Sequence, residues 1–152
     1  MAGGAALLLA LLFSQTVPQS GGVVIFESDK AGEMLRQCSR AAPKAGEGGW
    51  LPTAKDVAKL ETKLPEALRV AALNAYAYKE LQGAPKGWVR QYVGIVRGGK
   101  RFVYGNYAPA GGNFTTGWRG QPINICDGGP ALFGAEYDVE MDAISHLAFN
   151  GV

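Results

Sequence analysis

The chain has 152 residues, of which 47% are hydrophobic and 18% are charged, a composition typical of a folded globular protein rather than a disordered chain. This length is enough for one domain with a hydrophobic core and too short for two. The net charge of +2 gives no electrostatic basis for binding nucleic acid, so we expect no nucleic-acid partner.

The first 22 residues predict a secretory signal peptide. Residues 5–13 are a continuous apolar run that is too short to span a bilayer, and the polar residues 14–20 follow it. A buried N-terminal helix is the alternative, although the run has no polar face. We therefore expect a periplasmic or secreted chain in which residues 23–152 form one domain, with no stable membrane span after removal of the signal.

Two cysteines, Cys38 and Cys126, lie far apart and in no metal-ligand spacing. An even number of cysteines in an exported chain favours a disulfide bond between them. In the chain-entropy model, a bridge that closes so long a loop contributes about 4 kcal/mol. Two buried thiols, or Cys126 as a nucleophile, are the alternatives.

The N-terminal part of the expected domain predicts short elements. Residues 23–26 are apolar and form either a first strand or the end of the exported segment. Asp29 is placed to cap a short helix that runs toward Cys38, unless this region is a loop. Residues 43–49 are rich in glycine, proline and lysine and predict a connector.

The clearest predicted helix begins after Thr53, a favourable N-cap, and Asp56 completes a capping box. Apolar residues then recur at helical spacing on one face: Val57, Leu60, Leu64 and Leu68. Pro65 predicts a kink or a break, and the alanine-rich residues 66–81 predict further helix.

Residues 88–107 predict a β-hairpin, because two runs of β-branched and aromatic residues flank Gly98-Gly99, which suits a type I′ turn. The turn sets the register, which pairs Arg97 with Lys100, Ile95 with Phe102, Val93 with Tyr104 and Gln91 with Asn106. We expect this side of the hairpin to face the core.

The other side of the hairpin places Tyr92 opposite Gly105. One interpretation is a sharply curved sheet in which Tyr92 lies over the glycine. The second is a concave ligand surface lined by Arg90, Tyr92 and Tyr107.

The remaining sequence predicts a loop and then three strands. The loop, residues 109–120, contains Phe114 and Trp118, which either pin it to the core or line a binding site. Strands are predicted over residues 123–127, 132–138 and 144–149. Helices followed by consecutive strands predict an α+β fold: an N-terminal helix, kinked or broken near Pro65, packed on a bent antiparallel meander sheet of about four to five strands.

Several short segments resemble small exported proteins of Gram-negative bacteria that have no characterised activity. The segments are RQYVGI, GKRFVYGNY, CDGG, GAEYD and LAFNG. The similarity extends from about Cys38 to the end of the chain. It implies export and a compact domain, and it carries over no site residues.

Catalytic motifs are mostly absent from the sequence, which has no GxSxG, GK[ST], HExxH or CxxC. His146 is the single histidine, and we predict no metal site and no cofactor. One catalytic constellation remains arguable: a cysteine-dependent hydrolase that uses Cys126 and His146 next to Asp127, with the amides of Gly128 and Gly129 as anion donors. The competing interpretation is a disulfide, a turn and a partly buried histidine.

Four carboxylates late in the chain are candidates for a calcium site: Asp127, Glu136, Asp138 and Asp142. They lack the DxDxDG spacing of a calcium loop, so we interpret them as belonging to solvated turns.

We favour a non-catalytic exported binding domain for a protein, glycan or envelope partner, and an inhibitor of a secreted hydrolase is one version of this function. The predicted contact residues are aromatic or arginine, the types enriched in binding hot spots: Arg90, Tyr92, Tyr107, Phe114 and Trp118. The same residue types also suit a protein core.

Overall fold

A computed structural model describes residues 21–71, 81, 84–111 and 116–151. These residues form a mixed six-stranded sheet and two α-helices, so the predicted α+β class is confirmed. Most of the predicted signal peptide, Phe114 and residues 72–80 of the predicted helix lie outside the described residues.

The elements follow one another as β1 (Gly22–Ile25), a 3₁₀ turn (Ser28–Lys30), α1 (Ala31–Leu35), β2 (Gly48–Trp50), α2 (Ala54–Ala71), β3 (Val89–Arg97), β4 (Lys100–Ala108), β5 (Phe133–Asp138) and β6 (Ala143–Phe149). The strand order across the sheet is β1-β3-β4-β5-β6, and β2 also pairs with β3.

Helix α2 begins with the predicted capping box. The backbone N–H of Asp56 donates to Thr53 Oγ1 at 3.3 Å, and the N–H of Thr53 donates to Asp56 Oδ2 at 2.9 Å. The predicted apolar stripe is buried. The helix continues through Pro65, so a break there is wrong. Pro65 lies on the exposed face, where water can satisfy the carbonyl of Glu61 that loses its helical partner.

The predicted hairpin is confirmed residue by residue, from Arg97 paired with Lys100 to Gln91 paired with Asn106. Its two faces are both buried, which differs from the single core face that we predicted. Helix α2 packs on the face that carries Tyr92 and Tyr107, while Phe26 and Met34 pack on the face that we expected to line the core.

Gly105 is explained by a neighbour on its own strand. Tyr107 leans along β4 so that a Cβ atom at Gly105 would come too close to the tyrosine ring. Tyr92 is the cross-strand partner of Gly105, as predicted, but the space over the glycine is occupied by Tyr107.

The sheet is mixed, which corrects the predicted antiparallel meander. The apolar residues after the signal form β1, which pairs in parallel with β3. The predicted connector contains the first two residues of β2, which pairs antiparallel with the second half of β3. Both β5 and β6 lie within one residue of their predicted starts.

The strand predicted over residues 123–127 is absent, because side chains satisfy the backbone there. The N–H of Ile123 donates to Gln91 Oε1 at 2.8 Å, and its carbonyl accepts from Asn106 Nδ2 at 2.7 Å. Gln91 and Asn106 are buried, and their amide groups take the place of a strand ladder. Ile123 is therefore anchored to the sheet without belonging to it.

Within the described part of the chain, no helix combines the length and the apolar character that a membrane crossing requires.

Candidate functional site

Two predicted contact residues lie in the core between α2 and the sheet. Tyr92 and Tyr107 have no exposed surface. Their rings meet edge to face at 5.8 Å, and the Tyr107 ring stacks on Phe133 at 4.5 Å. The second interpretation of this face, a ligand surface, therefore does not fit these two tyrosines, because α2 covers them.

Arg90 and Tyr92 converge on one carboxylate of α2. The Tyr92 hydroxyl donates to Glu61 Oε1 at 2.6 Å, and Arg90 Nη1 donates to the same oxygen at 2.8 Å. Burial, followed by the neighbouring Tyr107 and Glu61, raises the pKa of Tyr92 well above its ordinary value. This hydroxyl therefore stays protonated at neutral pH and acts as a structural donor that ties β3 to α2.

The Tyr107 hydroxyl lies beside that of Tyr92 without a hydrogen bond of good geometry among the described residues. Burial is the main cause that raises the pKa of Tyr107. The two tyrosines are equally buried but differ in their hydroxyl groups. The Tyr92 hydroxyl has a hydrogen-bond partner, and the Tyr107 hydroxyl has none among the described residues.

We expect Tyr92→Phe to lower the free energy of unfolding by about 1.5–3 kcal/mol, because it removes a hydrogen bond to a charged acceptor. Tyr107→Phe should cause no loss, since it removes a buried hydroxyl that has no partner among the described residues. Urea unfolding of both variants measures the difference. Equal losses would show that the two hydroxyls are equivalent and would contradict the hydrogen-bond assignment.

Trp118 pins its loop to the sheet, which is one of the two roles that we predicted. The residue is 8% exposed, and its carbonyl accepts from Gln91 Nε2 at 2.6 Å. The Arg119 guanidinium lies 4.2 Å from the centre of the Trp118 ring. Trp118 is therefore a packing residue here, and the role of Phe114 stays a prediction because it lies outside the described residues.

Cys38 and Cys126 form the predicted disulfide, with their Cα atoms 5.2 Å apart. Cys126 therefore has no thiol to act as the nucleophile of the alternative hydrolase. His146 Nε2 lies 3.0 Å from the carbonyl oxygen of Ala41, which accepts a hydrogen bond when that nitrogen carries the proton. Asp127 is exposed and its carbonyl accepts from Asn150 Nδ2 at 2.7 Å, in a turn rather than a catalytic arrangement.

The late carboxylates have separate structural partners. Asp138 Oδ1 accepts from the backbone N–H groups of Glu140 and Met141, each at 2.9 Å, and Glu136 pairs with Arg97. Within the residues that the structure describes, no cluster of three or more potential metal ligands occurs. Glu136 and Asp138 are buried residues of β5, so the interpretation of the late carboxylates as solvated turns is wrong for these two.

A groove of about 550 Å³ lies between the second half of α2 and strand β6. Most of its exposed lining is apolar, and the apolar residues include Ala67, Val70 and Ala71 from the helix and Ile144 and Leu147 from the strand. Val70 is 65% exposed although it is a large aliphatic residue, because it lies beside the buried stripe of α2 and not on it. Such an exposed apolar groove is a candidate contact surface.

The charges near this groove balance one another. Lys63 Nζ lies 3.0 Å from Asp142 Oδ2 on one side, and Arg69 pairs with Glu66. The Tyr137 hydroxyl, and then Lys63, lower the pKa of Asp142, so this carboxylate is ionised at neutral pH. The four residues carry no net charge together, which favours an uncharged occupant.

Strand β6 forms one edge of the sheet and pairs only with β5 among the described residues. The N–H of Asn150 donates to the carbonyl of Leu132 at 2.8 Å. The N–H and C=O groups of successive residues in a strand point to opposite sides. Those of Asn150 point toward β5, so those of Leu147 and Phe149 point away from it. These backbone groups lie beside the groove and are available to another strand.

Comparison of the chain with protein-family models, curated proteins and solved structures found no match. The candidate site therefore depends on geometry alone. The sequence-based prediction missed the groove, although β6 offered a signal: residues 143–149 contain no lysine, arginine, carboxylate or proline, the residues that usually protect a sheet edge.

Proposed function

We propose that this chain is a small exported binding domain, closed by a disulfide, that contacts a protein partner through the groove between α2 and β6. The observation that carries the proposal is the exposed Val70 beside the open edge of β6, since an apolar groove next to unpaired backbone groups suits a polypeptide. The exposed area of the groove is mainly apolar, which favours a polypeptide over a glycan.

Export is part of this proposal and is supported by two independent features. The first 22 residues have the pattern of a secretory signal, and the disulfide between Cys38 and Cys126 is compatible with an oxidising compartment. We propose a periplasmic or secreted location on these grounds. The resemblance to exported proteins of Gram-negative bacteria agrees with it.

Site-specific photocrosslinking tests the contact surface. A benzophenone amino acid at Val70 should give a crosslinked species in cells, whereas the same group at Leu51 should give none. Leu51 is a matched control because it is also apolar and 53% exposed, and it precedes α2, whose second half lines the groove. Absence of a crosslink at position 70, or equal yields at both positions, would contradict the proposed surface.

A further inference from the structure

We infer that the partner at this groove is a second copy of the chain, which adds its own β6 to the open edge of β6. This inference rests on the proposed function, because it names the partner of the same surface. It is carried by three features of the described residues: the free backbone groups of β6, the balanced charges near the groove and the difference between the two edges of the sheet.

The open edge of β6 can accept a strand. Residues 146–149 are a regular stretch of β6. Within it, the N–H and C=O groups of Leu147 and Phe149 point outward, while those of His146 and Ala148 point toward β5. Ser145 is an extra residue in β6 relative to β5, and its hydroxyl donates to Glu136 Oε1 at 2.9 Å. This bulge at one end, and the hydrogen bond from the Gly151 N–H to Ser39 at the other, limit a regular added ladder to residues 146–149.

The balanced charges allow the partner to be an identical surface. A two-fold interface brings each patch against its own copy, so a patch with unbalanced charge repels itself. Here Lys63 neutralises Asp142, and Arg69 neutralises Glu66. The apolar residue Val70 is then free to pack against an apolar residue of the second copy.

The opposite edge of the sheet explains why the assembly closes as a dimer. That edge consists of β1 and β2, which have four and three residues, and short edge strands are a common protection against pairing. Pairing of β6 with a second β6 about a two-fold axis perpendicular to the sheet makes the two strands antiparallel. It also places both α2 helices on the same face, next to each other, and leaves no long edge among the described strands for a third copy.

The mass of the oxidised full-length exported protein, measured by light scattering over a concentration series, tests this inference. We expect twice the mass of one chain at high concentration. Val70→Glu should raise the dimer dissociation constant at least ~10-fold, because it places like charges in the apolar contact. Leu51→Glu, an equally apolar and exposed position outside the groove, should leave the constant unchanged.

Amide hydrogen exchange identifies the edge without a substitution. The N–H groups of Leu147 and Phe149 should exchange slowly in the dimer and faster on dilution, because the added strand accepts their hydrogen bonds. Fast exchange of both amides in a sample that has the dimer mass would place the interface elsewhere and would overturn the inference. A monomer at all concentrations would overturn it as well.

The crosslink at position 70 separates this inference from the proposed function. A product with twice the chain mass supports both. A product that contains a different protein supports the contact surface and overturns the second copy as its partner. Absence of any product overturns both.

Discussion

Replacement of both cysteines by serine should lower the free energy of unfolding by about 4–5 kcal/mol. The disulfide joins residues that are 88 positions apart, so its loss releases a long loop in the unfolded chain. Both cysteines lie in coil segments on the surface, so the folded state loses little packing. A loss of this size is a large part of the stability of a domain of this length.

Urea unfolding of the oxidised protein and of the Cys38→Ser/Cys126→Ser variant measures the effect. We also expect a larger m-value in the variant, because the unfolded chain without the bridge is more expanded and exposes more surface. The matched control is the original protein after its disulfide has been reduced in the unfolded state and the chain has refolded in reductant. It should have the same stability and m-value as the variant. A loss below about 1 kcal/mol would contradict the entropic argument.

Local patterns predicted the elements whose geometry depends on near neighbours. Gly98 and Gly99 occupy the left-handed region that a type I′ turn requires, with φ angles of 58° and 74°, so the turn sets the register of the hairpin. The capping box at Thr53 and the apolar stripe of α2 are equally local. Both could be predicted because each depends on residues a few positions apart.

Long-range contacts explain where the predictions failed. Residues 123–127 are apolar enough for a strand, but Gln91 and Asn106, distant in the sequence, take the backbone bonds of Ile123. Tyr92 and Tyr107 fit an interface as well as a core, and only the position of α2 decides between them. The sequence of β6 gave a signal for an open edge, but the groove itself could not be predicted because Val70 and β6 come together only in the folded chain.

Arg97 is a further case, because the predicted register placed it opposite Lys100 and gave no sign of its ion pair. In the structure its guanidinium forms two hydrogen bonds with Glu136, at 2.7 and 3.1 Å, and lies 4.2 Å from the centre of the Phe102 ring. Only 2% of the Glu136 side chain is exposed. This buried carboxylate lies 39 positions from Arg97, so its pairing leaves no local pattern in the sequence.

We expect Arg97→Ala to lower the free energy of unfolding at neutral pH by about 3–5 kcal/mol, because it leaves the buried charge of Glu136 without its cation. Lys30→Ala is the control for an exposed pair, since Lys30 and Glu33 are 3.2 Å apart at the surface, and it should cost at most about 1 kcal/mol. Chemical unfolding at pH 7 measures both losses.

The Arg97→Ala/Glu136→Gln double variant removes the buried charge together with its partner. It should recover most of the loss at pH 7, because no buried charge remains without a partner. Lost contacts with Phe102 would persist in the double variant, so any remaining deficit measures the packing contribution of the guanidinium. If the double variant were as unstable as Arg97→Ala at pH 7, packing alone would explain the effect, and the ion pair would not be what stabilises this part of the sheet.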